Sequence, residues 1–471
     1  MIENNGCVLA AGAIEDECAT YEMDLTGRKV LVVGLARSGE AAAKFLAARG
    51  ARVTVNDSKT EAELAGRAAR MRMLGIRLVL GSHPIDLFTE ADLIVVSPGV
   101  PLSIEPLVKA KEAGVEIIGE IELAARNIRG KVVGITGSNG KTTTTTLIGE
   151  LLKDSQLDTQ VGGNIGTPLI SLVEGSKDAG FSVIELSSFQ LEGVTSLRAN
   201  VAIVTNVTPD HMDRYTTFDD YVAAKRRIFL NQTASDIAIL NADNEVTAAM
   251  VADTPAQMFL FSHHRELDRG IFTRGESLVY RDGSSEREVL KTSDIALRGT
   301  HNLENVMASL LAGLACGASV DSMREAIRRF RGVEHRLEWV ATIDGVEYFN
   351  DSKATNVDAA AKAIEAFPGN IVLILGGKDK DSDYMTLSPL IRERIKHLVL
   401  IGAAADKIEA ALHGVKPIVR ASSMQDAVRQ SRDLAESGDT VLLAPACASF
   451  DMFDNYEHRG RVFKEEVARL K

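Results

Sequence analysis

The sequence predicts an α/β protein in which short buried strands alternate with helices and the strand-end loops carry the chemistry. Three observations predict it. Residues 131–146, KVVGITGSNGKTTTTT, pass from an apolar run through a glycine turn into a helix start. Residues 27–57, GRKVLVVGLARSGEAAAKFLAARGARVTVND, repeat strand, glycine turn, helix and strand. Beyond residue 333 the strand-then-loop theme recurs four times, which argues for a further parallel sheet.

A chain of 471 residues exceeds one ordinary core, so two to four domains are expected. Hydrophobic content of 45% with 25% charged residues suits a soluble globular protein. The net charge of −12, from 53 basic and 65 acidic residues, excludes an ordinary nucleic-acid binder. An acidic substrate must then be drawn in by a local basic cluster. Cys7, Cys18, Cys316 and Cys447 show no C-x-x-C spacing and suit a reducing compartment. No apolar run reaches membrane-spanning length, so no membrane insertion is expected. The start, MIENNGCVLAAGAIEDE, carries acid rather than base before its apolar patch, so a cytoplasmic protein without a signal peptide is expected, with 1–25 an extension.

In the first segment Val30–Val33 reads as a buried strand, Gly34–Gly39 as the turn, Ala41–Arg49 as a helix and Arg52–Asn56 as a second strand ending at Asp57. Ala36 occupies the second glycine position of the G-x-G-x-x-G fingerprint, which weakens a dinucleotide reading and favours another nucleotide-containing ligand. Asp57 and Ser58 are candidates for a ribose hydroxyl, or plain turn formers. Ala91–Ser97 reads as a third strand.

The central segment holds the phosphate loop. Gly137, Ser138, Asn139 and Gly140 form the turn, and Lys141, Thr142 and Thr143 open the helix. Backbone N–H groups and the positive helix end face one point there, Lys141 supplies charge for terminal phosphates, and Thr142 is placed for Mg²⁺. The strict P-loop pattern needs Gly at 135, where Ile135 stands, so this is a shorter variant. Five consecutive threonines are poor helix formers, by up to roughly 0.7 kcal/mol each relative to Ala. Phe181–Leu186 reads as a strand with Glu185 near its end, a candidate to hold Mg²⁺ beside the loop. His211, in a loop with Asp210 and Asp213, is a second metal candidate. Tyr221, Lys225, Ile228 and Phe229 share one helix face, which turns Lys225 toward the apolar side. Asn302 and Asn305 project together from a helix start, suiting a nucleobase, with capping as the plain account of Asn302.

In the third segment VEHRLEWV and VEYFNDSKATN read as strands leading to a loop with Asp351, Lys353 and Thr355. Arg336, Lys353 and Lys380 supply the positive field that a dianionic substrate requires.

Taken together, TGSNGKT, GGNIGTPL, ELSSFQLE, NVTPDHMDRY, HNLENV, HRLE, NDSKATN and PACASFDMF closely resemble the Mur ligases over roughly residues 26–471. ELSSFQLE, NDSKATN and CASFD resemble the member that adds D-glutamate to UDP-N-acetylmuramoyl-L-alanine. The resemblance implies three domains: a Rossmann-like N-terminal domain to residue 120, a central P-loop ATPase-type domain over 121–332 and a Rossmann-like C-terminal domain over 333–471. It implies a monomer using ATP and two Mg²⁺ sites, one on Thr142 and Glu185, the other on His211 and a carbamate of Lys225. Burial favours that carbamate, since CO₂ reacts with the neutral amine. Lys141, His211, Lys225 and Lys353 would be catalytic. Asn302, Asn305, Arg336 and Asp351 would bind the nucleotide with the phosphate loop. Arg37, Ser38, Asp57, Ser58 and Lys59 align with the uridine diphosphate site, and Asn164, Ser187 and Gln190 with the muramoyl-alanyl part. Lys353, Thr355, Lys380, Ser449 and Tyr456 match the D-glutamate site. Lys59 stands where an arginine is expected, and Tyr456 where phenylalanine is common. Two alternatives remain, a folylpolyglutamate synthase-type ligase and a P-loop regulatory ATPase, the latter giving no role to Lys353 and Lys380.

Overall fold

The computed structural model describes residues 23–470 except 213, 251–253, 284 and 298. Cys7, Cys18, Asp213 and most of the amino-terminal extension lie outside the described residues.

Three sheets follow one another along the chain. The first contains β1 (Lys29–Val33), β2 (Arg52–Asp57), β3 (Arg77–Leu80), β4 (Leu93–Val96) and β5 (Glu116–Gly119), in the order β3-β2-β1-β4-β5. All its pairings are parallel. The strand order reverses beside β1, and a ligand crevice opens at such a switch point. Leu31, Val33, Phe88, Ile94, Val96 and Leu107 fill the core on one face. The first helix runs Arg37–Ala48, so Arg37 and Ser38 lie in its first turn rather than in the preceding loop. Gly39 sits against Gly34, where an added Cβ would lie 1.8 Å from the Gly34 carbonyl oxygen. A side chain at position 39 would collide with that carbonyl, so the close approach requires glycine. β3 had no signal beyond the short run RLVL.

The second sheet has nine strands: β6 (Lys131–Thr136), β7 (Thr159–Gly163), β8 (Phe181–Glu185), β9 (Val201–Val204), β10 (Ile237–Asn241), β11 (Gln257–Ser262), β12 (Arg269–Arg274), β13 (Ser277–Asp282) and β14 (Ser285–Lys291). Their order is β14-β13-β12-β11-β10-β9-β6-β8-β7. β6 lies between β8 and β9, with Ile135 opposite Glu185 and Thr136 opposite Val204. The sheet is parallel from β7 to β12, and β12 pairs antiparallel with β13.

The third sheet orders β15 (Glu338–Ile343), β16 (Val346–Asn350), β17 (Ile371–Gly376), β18 (Ile395–Ile401), β19 (Ile418–Arg420) and β20 (Thr440–Leu443) as β15-β16-β20-β17-β18-β19. It is parallel except for the β15–β16 hairpin at one edge, so the parallel sheet expected here is a mixed one. VEHRLEWV is strand only from Glu338, because His335 (φ 66°) and Leu337 (φ 43°) adopt left-handed backbone. Every residue of β17 is buried, as expected for a central strand covered on both faces. Loops after β16, β17 and β20 emerge together at the carboxyl edge, beside a second switch point.

By packing, the chain forms two compact units. One holds the first two sheets: residues to 207, 217–289 and 307–326. The other holds the third sheet with 208–216 and 290–306. No described helix is long and apolar enough to cross a membrane.

Candidate active site

In the first unit, β6 delivers the glycine loop. Gly137 has φ 148°, and a Cβ there would lie 2.0 Å from Thr205 Oγ1. The loop is pinned to the end of β9: Ser138 N–H donates to the Asn206 carbonyl (2.8 Å), Asn139 N–H to Asn206 Oδ1 (2.9 Å), and Thr205 Oγ1 to the Asn139 carbonyl (2.6 Å). Gly140 (φ 85°) precedes the helix Lys141–Asp154 and contributes no side-chain cap, which suits a helix start that meets an anion. Lys141 Nζ donates to the Gly137 and Ser138 carbonyls at 2.8 and 2.9 Å.

Beside the loop, Thr142 Oγ1 donates to Glu185 Oε2 at 2.7 Å, and Asn164 Nδ2 donates to Glu185 Oε1 at 2.8 Å. A hydroxyl and a carboxylate oxygen at that spacing are the donor set of a hard divalent cation, so these residues fit Mg²⁺. The threonine run has a second use: Thr143, Thr144 and Thr145 are buried, packing the helix against the sheet, and only the start of the run faces the loop. Lys225 is 1% exposed on the predicted apolar face with Tyr221, Ile228 and Phe229. Its Nζ donates to the Gly137 carbonyl at 2.7 Å and lies 4.5 Å from the Tyr221 ring centroid. Tyr221 OH and Ser138 Oγ are 3.0 Å apart. An amine donating to a carbonyl does not ligate a cation, so a metal role for Lys225 requires its modification.

The substrate-side residues of this unit divide. Asp57 accepts from Leu35 N–H (2.6 Å) and Lys59 N–H (2.9 Å), shaping the turn after β1, while Ser58 and Lys59 are exposed. Arg37 donates to the Gly166 carbonyl at 2.9 Å, linking that turn to the GGNIGTPL loop. Ser187 and Gln190 form a capping box for the helix Ser188–Glu192, so each is the other's partner.

In the second unit, His211 (φ 57°) lies beside Asp210, and Asn356 donates to Asp210 Oδ2 at 3.1 Å. Thr208 Oγ1 donates to Asp358 at 3.2 Å, so this loop packs on the helix Val357–Glu365. Asn302 and Asn305 are buried, with Asn305 Nδ2 donating to Asn302 Oδ1 at 3.2 Å. The helix begins at Thr300, which places Asn302 inside its first turn and not at the cap. Burial, with the cations Arg336 and Lys362, pushes the neighbouring His301 down to about 3, so its imidazole is neutral. Arg336 approaches the fully buried Asp351 at 3.4 Å. Burial raises the Asp351 carboxyl and Arg336 opposes that rise.

Lys353 Nζ lies 5.5 Å from the Tyr456 ring centroid, and Thr355 N–H donates to the Lys353 carbonyl at 2.8 Å. Ser449 is buried on the loop after β20, and Lys380 is exposed on the loop after β17. A residue that sequence reasoning missed ties these loops together. Arg459, 1% exposed, donates to Ser352 Oγ (2.9 Å), the Ser352 carbonyl (2.8 Å) and the Cys447 and Ala448 carbonyls (3.1 and 3.3 Å). Burial lowers it to about 10, still a cation at neutral pH. Its one sequence signal is its place one helical turn after Tyr456.

Comparison with known proteins finds family matches in each of the three sheet regions. The Mur ligase MurD-like N-terminal domain matches residues 28–119, the Mur ligase middle domain 135–313, and the Mur ligase glutamate ligase domain 335–447. The UDP-N-acetylmuramoylalanine–D-glutamate ligase of Koribacter versatilis (strain Ellin345) is 50% identical over 95% of this chain and 99% of its own. That of Acidobacterium capsulatum is 51% identical over 94% and 97%. Among solved structures, UDP-N-acetylmuramate-alanine ligase MurC from Thermotoga maritima shares the fold, with a TM-score of 0.60 at 20% identity over 94% of this chain and all of that one. A glycine loop braced by neighbouring strands, in a chain matched from its first sheet to its last, makes this protein a member of the Mur ligase family.

Proposed function

We propose that the protein joins D-glutamate to UDP-N-acetylmuramoyl-L-alanine with ATP, through an acyl phosphate, in the cytoplasmic synthesis of peptidoglycan precursors. The observation that carries the reading is Glu185, held between Thr142 at the phosphate loop and Asn164 on the substrate-side loop. Full-length identity near 50% to ligases of that name supports the choice of substrates.

The glycine loop N–H groups and Lys141 bind the terminal phosphates. Asn302 and Asn305 take the adenine, with Arg336 and Asp351 near phosphate and ribose. Thr142 and Glu185 would hold one Mg²⁺, and His211 with a Lys225 carbamate would hold another; such a metal would supply charge neutralisation at the γ-phosphoryl group. Arg37, Ser38, Asp57, Ser58 and Lys59 bind the uridine diphosphate, and Asn164, Ser187 and Gln190 the muramoyl-alanyl part. A substrate carboxylate oxygen attacks the γ-phosphorus, and ADP leaves. Lys353, Thr355, Lys380, Ser449 and Tyr456 orient the two carboxylates of D-glutamate so that its amine attacks the carbonyl carbon. The amine loses its proton as the tetrahedral adduct expels phosphate. Asp57 and the Ser187–Gln190 pair act through the backbone they shape as well as by contact.

The test is phosphate release by purified protein. It is expected only with ATP, UDP-N-acetylmuramoyl-L-alanine and D-glutamate together. Release independent of the amino acid overturns the reading in favour of a regulatory ATPase; activity with a folate in place of the UDP-sugar favours a folylpolyglutamate synthase-type ligase.

A further inference from the structure

We propose that the buried Glu120 carboxyl is the positioning residue that fixes the loop Gly162–Ile170 between the phosphate loop and the first sheet. The proposal rests on the reading that this loop meets the muramoyl part of the substrate.

Glu120 opens the helix Glu120–Ala125, immediately after β5, and is 1% exposed. Its Oε1 accepts from Ile170 N–H at 2.7 Å. Ile170 is the second residue of the 3₁₀ helix Leu169–Gly175, whose start has Pro168 before it and no side-chain cap of its own. That N–H would otherwise be an orphan donor at a helix start, so Glu120 caps it from 50 residues away. Upstream, the same loop is held by Asn164 on Glu185 and by Arg37 on the Gly166 carbonyl. The loop is thus gripped at one end beside the phosphate site and at the other by Glu120. Glu120 has a firm base, because two residues on Glu122 accepts from Thr195 and Ser196 N–H and hydroxyl groups and from Arg126.

The protonation state matters to this grip. Among the described residues Glu120 Oε2 is buried without a partner. Burial pushes the carboxyl up to about 7, opposed only by the Ile170 N–H. Charged groups on the packed elements are engaged elsewhere: Arg37 on Gly166, Glu40 with Lys44 and Arg70, Glu174 with Arg49, and Glu116 with Arg126. None of these, nor Glu192 on the helix Ser188–Glu192, contributes to the shift. Ionisation therefore favours any arrangement that lets water reach Oε2, at the expense of the packed loop.

The experiment compares wild type, Glu120→Ala and Glu120→Gln in the full chain, by steady-state kinetics from pH 6 to 8.5 and by hydrogen exchange of the peptide spanning 162–172. Glu120→Ala is expected to raise KM for UDP-N-acetylmuramoyl-L-alanine about tenfold, with KM for ATP within about twofold, and to speed exchange at Ile170. Glu120→Gln keeps the acceptor and cannot ionise. It is expected to restore both readouts and to remove a wild-type rise in that KM above pH 7. Equal changes in both KM values, a Gln variant as impaired as Ala, or unchanged exchange overturns the proposal. If wild type does not turn over the UDP substrate, the assigned reaction fails, while the exchange comparison still decides the grip of Glu120.

Discussion

The Thr142 hydroxyl donates to Glu185 across 2.7 Å, joining the phosphate-loop helix to the end of a neighbouring strand. Glu185 is 2% exposed, so its oxygens depend on protein partners or a cation. Thr142→Val removes the donor at nearly constant volume. It is expected to lower stability by about 1–3 kcal/mol, read by denaturant unfolding, and kcat by about a hundredfold or more. Glu185→Gln should give a comparable loss of kcat with a raised Mg²⁺ requirement.

Lys225 lies against the loop with its amine on the Gly137 carbonyl. Lys225→Ala is expected to abolish ligation, with partial recovery on adding a short carboxylate such as acetate. A readout free of turnover is ¹³C NMR under ¹³CO₂, where wild type should show a carbamate signal that the variant lacks.

Arg459 bridges the loops after β16 and β20 through four acceptors. Arg459→Met removes the donor to Ser352 Oγ and to the Ser352 and Cys447 carbonyls, while the Ala448 carbonyl keeps Lys378 N–H. KM for D-glutamate should rise at least about tenfold while KM for ATP changes little, measured in the three-substrate assay. A uniform loss across all substrates would mean that Arg459 only supports folding.

Glu122 yields a pH dependence. Burial raises its carboxyl, but bonds from Ser196 and Thr195 outweigh that and hold it at about 2, against an ordinary 4.5. A depressed carboxylate contributes stability above about pH 4.5 and loses it as pH falls toward 2. Glu122→Gln should therefore lower Tm at pH 7, and the gap to wild type should close between pH 4.5 and 2.

Burial pushes the Cys316 thiol up to about 12 and Cys447 up to about 11. Thiolate, not thiol, reacts with alkylating agents. Iodoacetamide at pH 7.5 should leave both unlabelled in the folded protein and label both after denaturation, as read by peptide mapping.

Local chemistry was legible in the sequence; long-range pairing was not. The glycine loop declares itself because its turn and helix start are contiguous, and the face carrying Lys225 because helical periodicity needs one segment only. Asp57 was visible as a strand-end acid, yet its bonds to Leu35 and Lys59 show it also shapes the turn. Ser187 and Gln190 were read as ligand contacts, although their spacing of three also fits the capping box that forms. Arg459 and Glu120 were invisible because Ser352 and Ile170, which they hold, lie 107 and 50 residues away, where only the fold brings them close. Strands β10 to β14 were unread for another reason: short runs such as QMFLFS and SLVYRD do not distinguish strand from buried helix by period alone.

The strand that presents the glycine loop sits between the strands carrying Glu185 and leading to Thr205. The motif is therefore not a portable cassette. A fragment truncated before residue 181, or the loop grafted into another scaffold, would retain every letter of TGSNGKT and lose both flanking supports. The shape of the glycine loop in this protein is a property of three adjacent strands assembled in register.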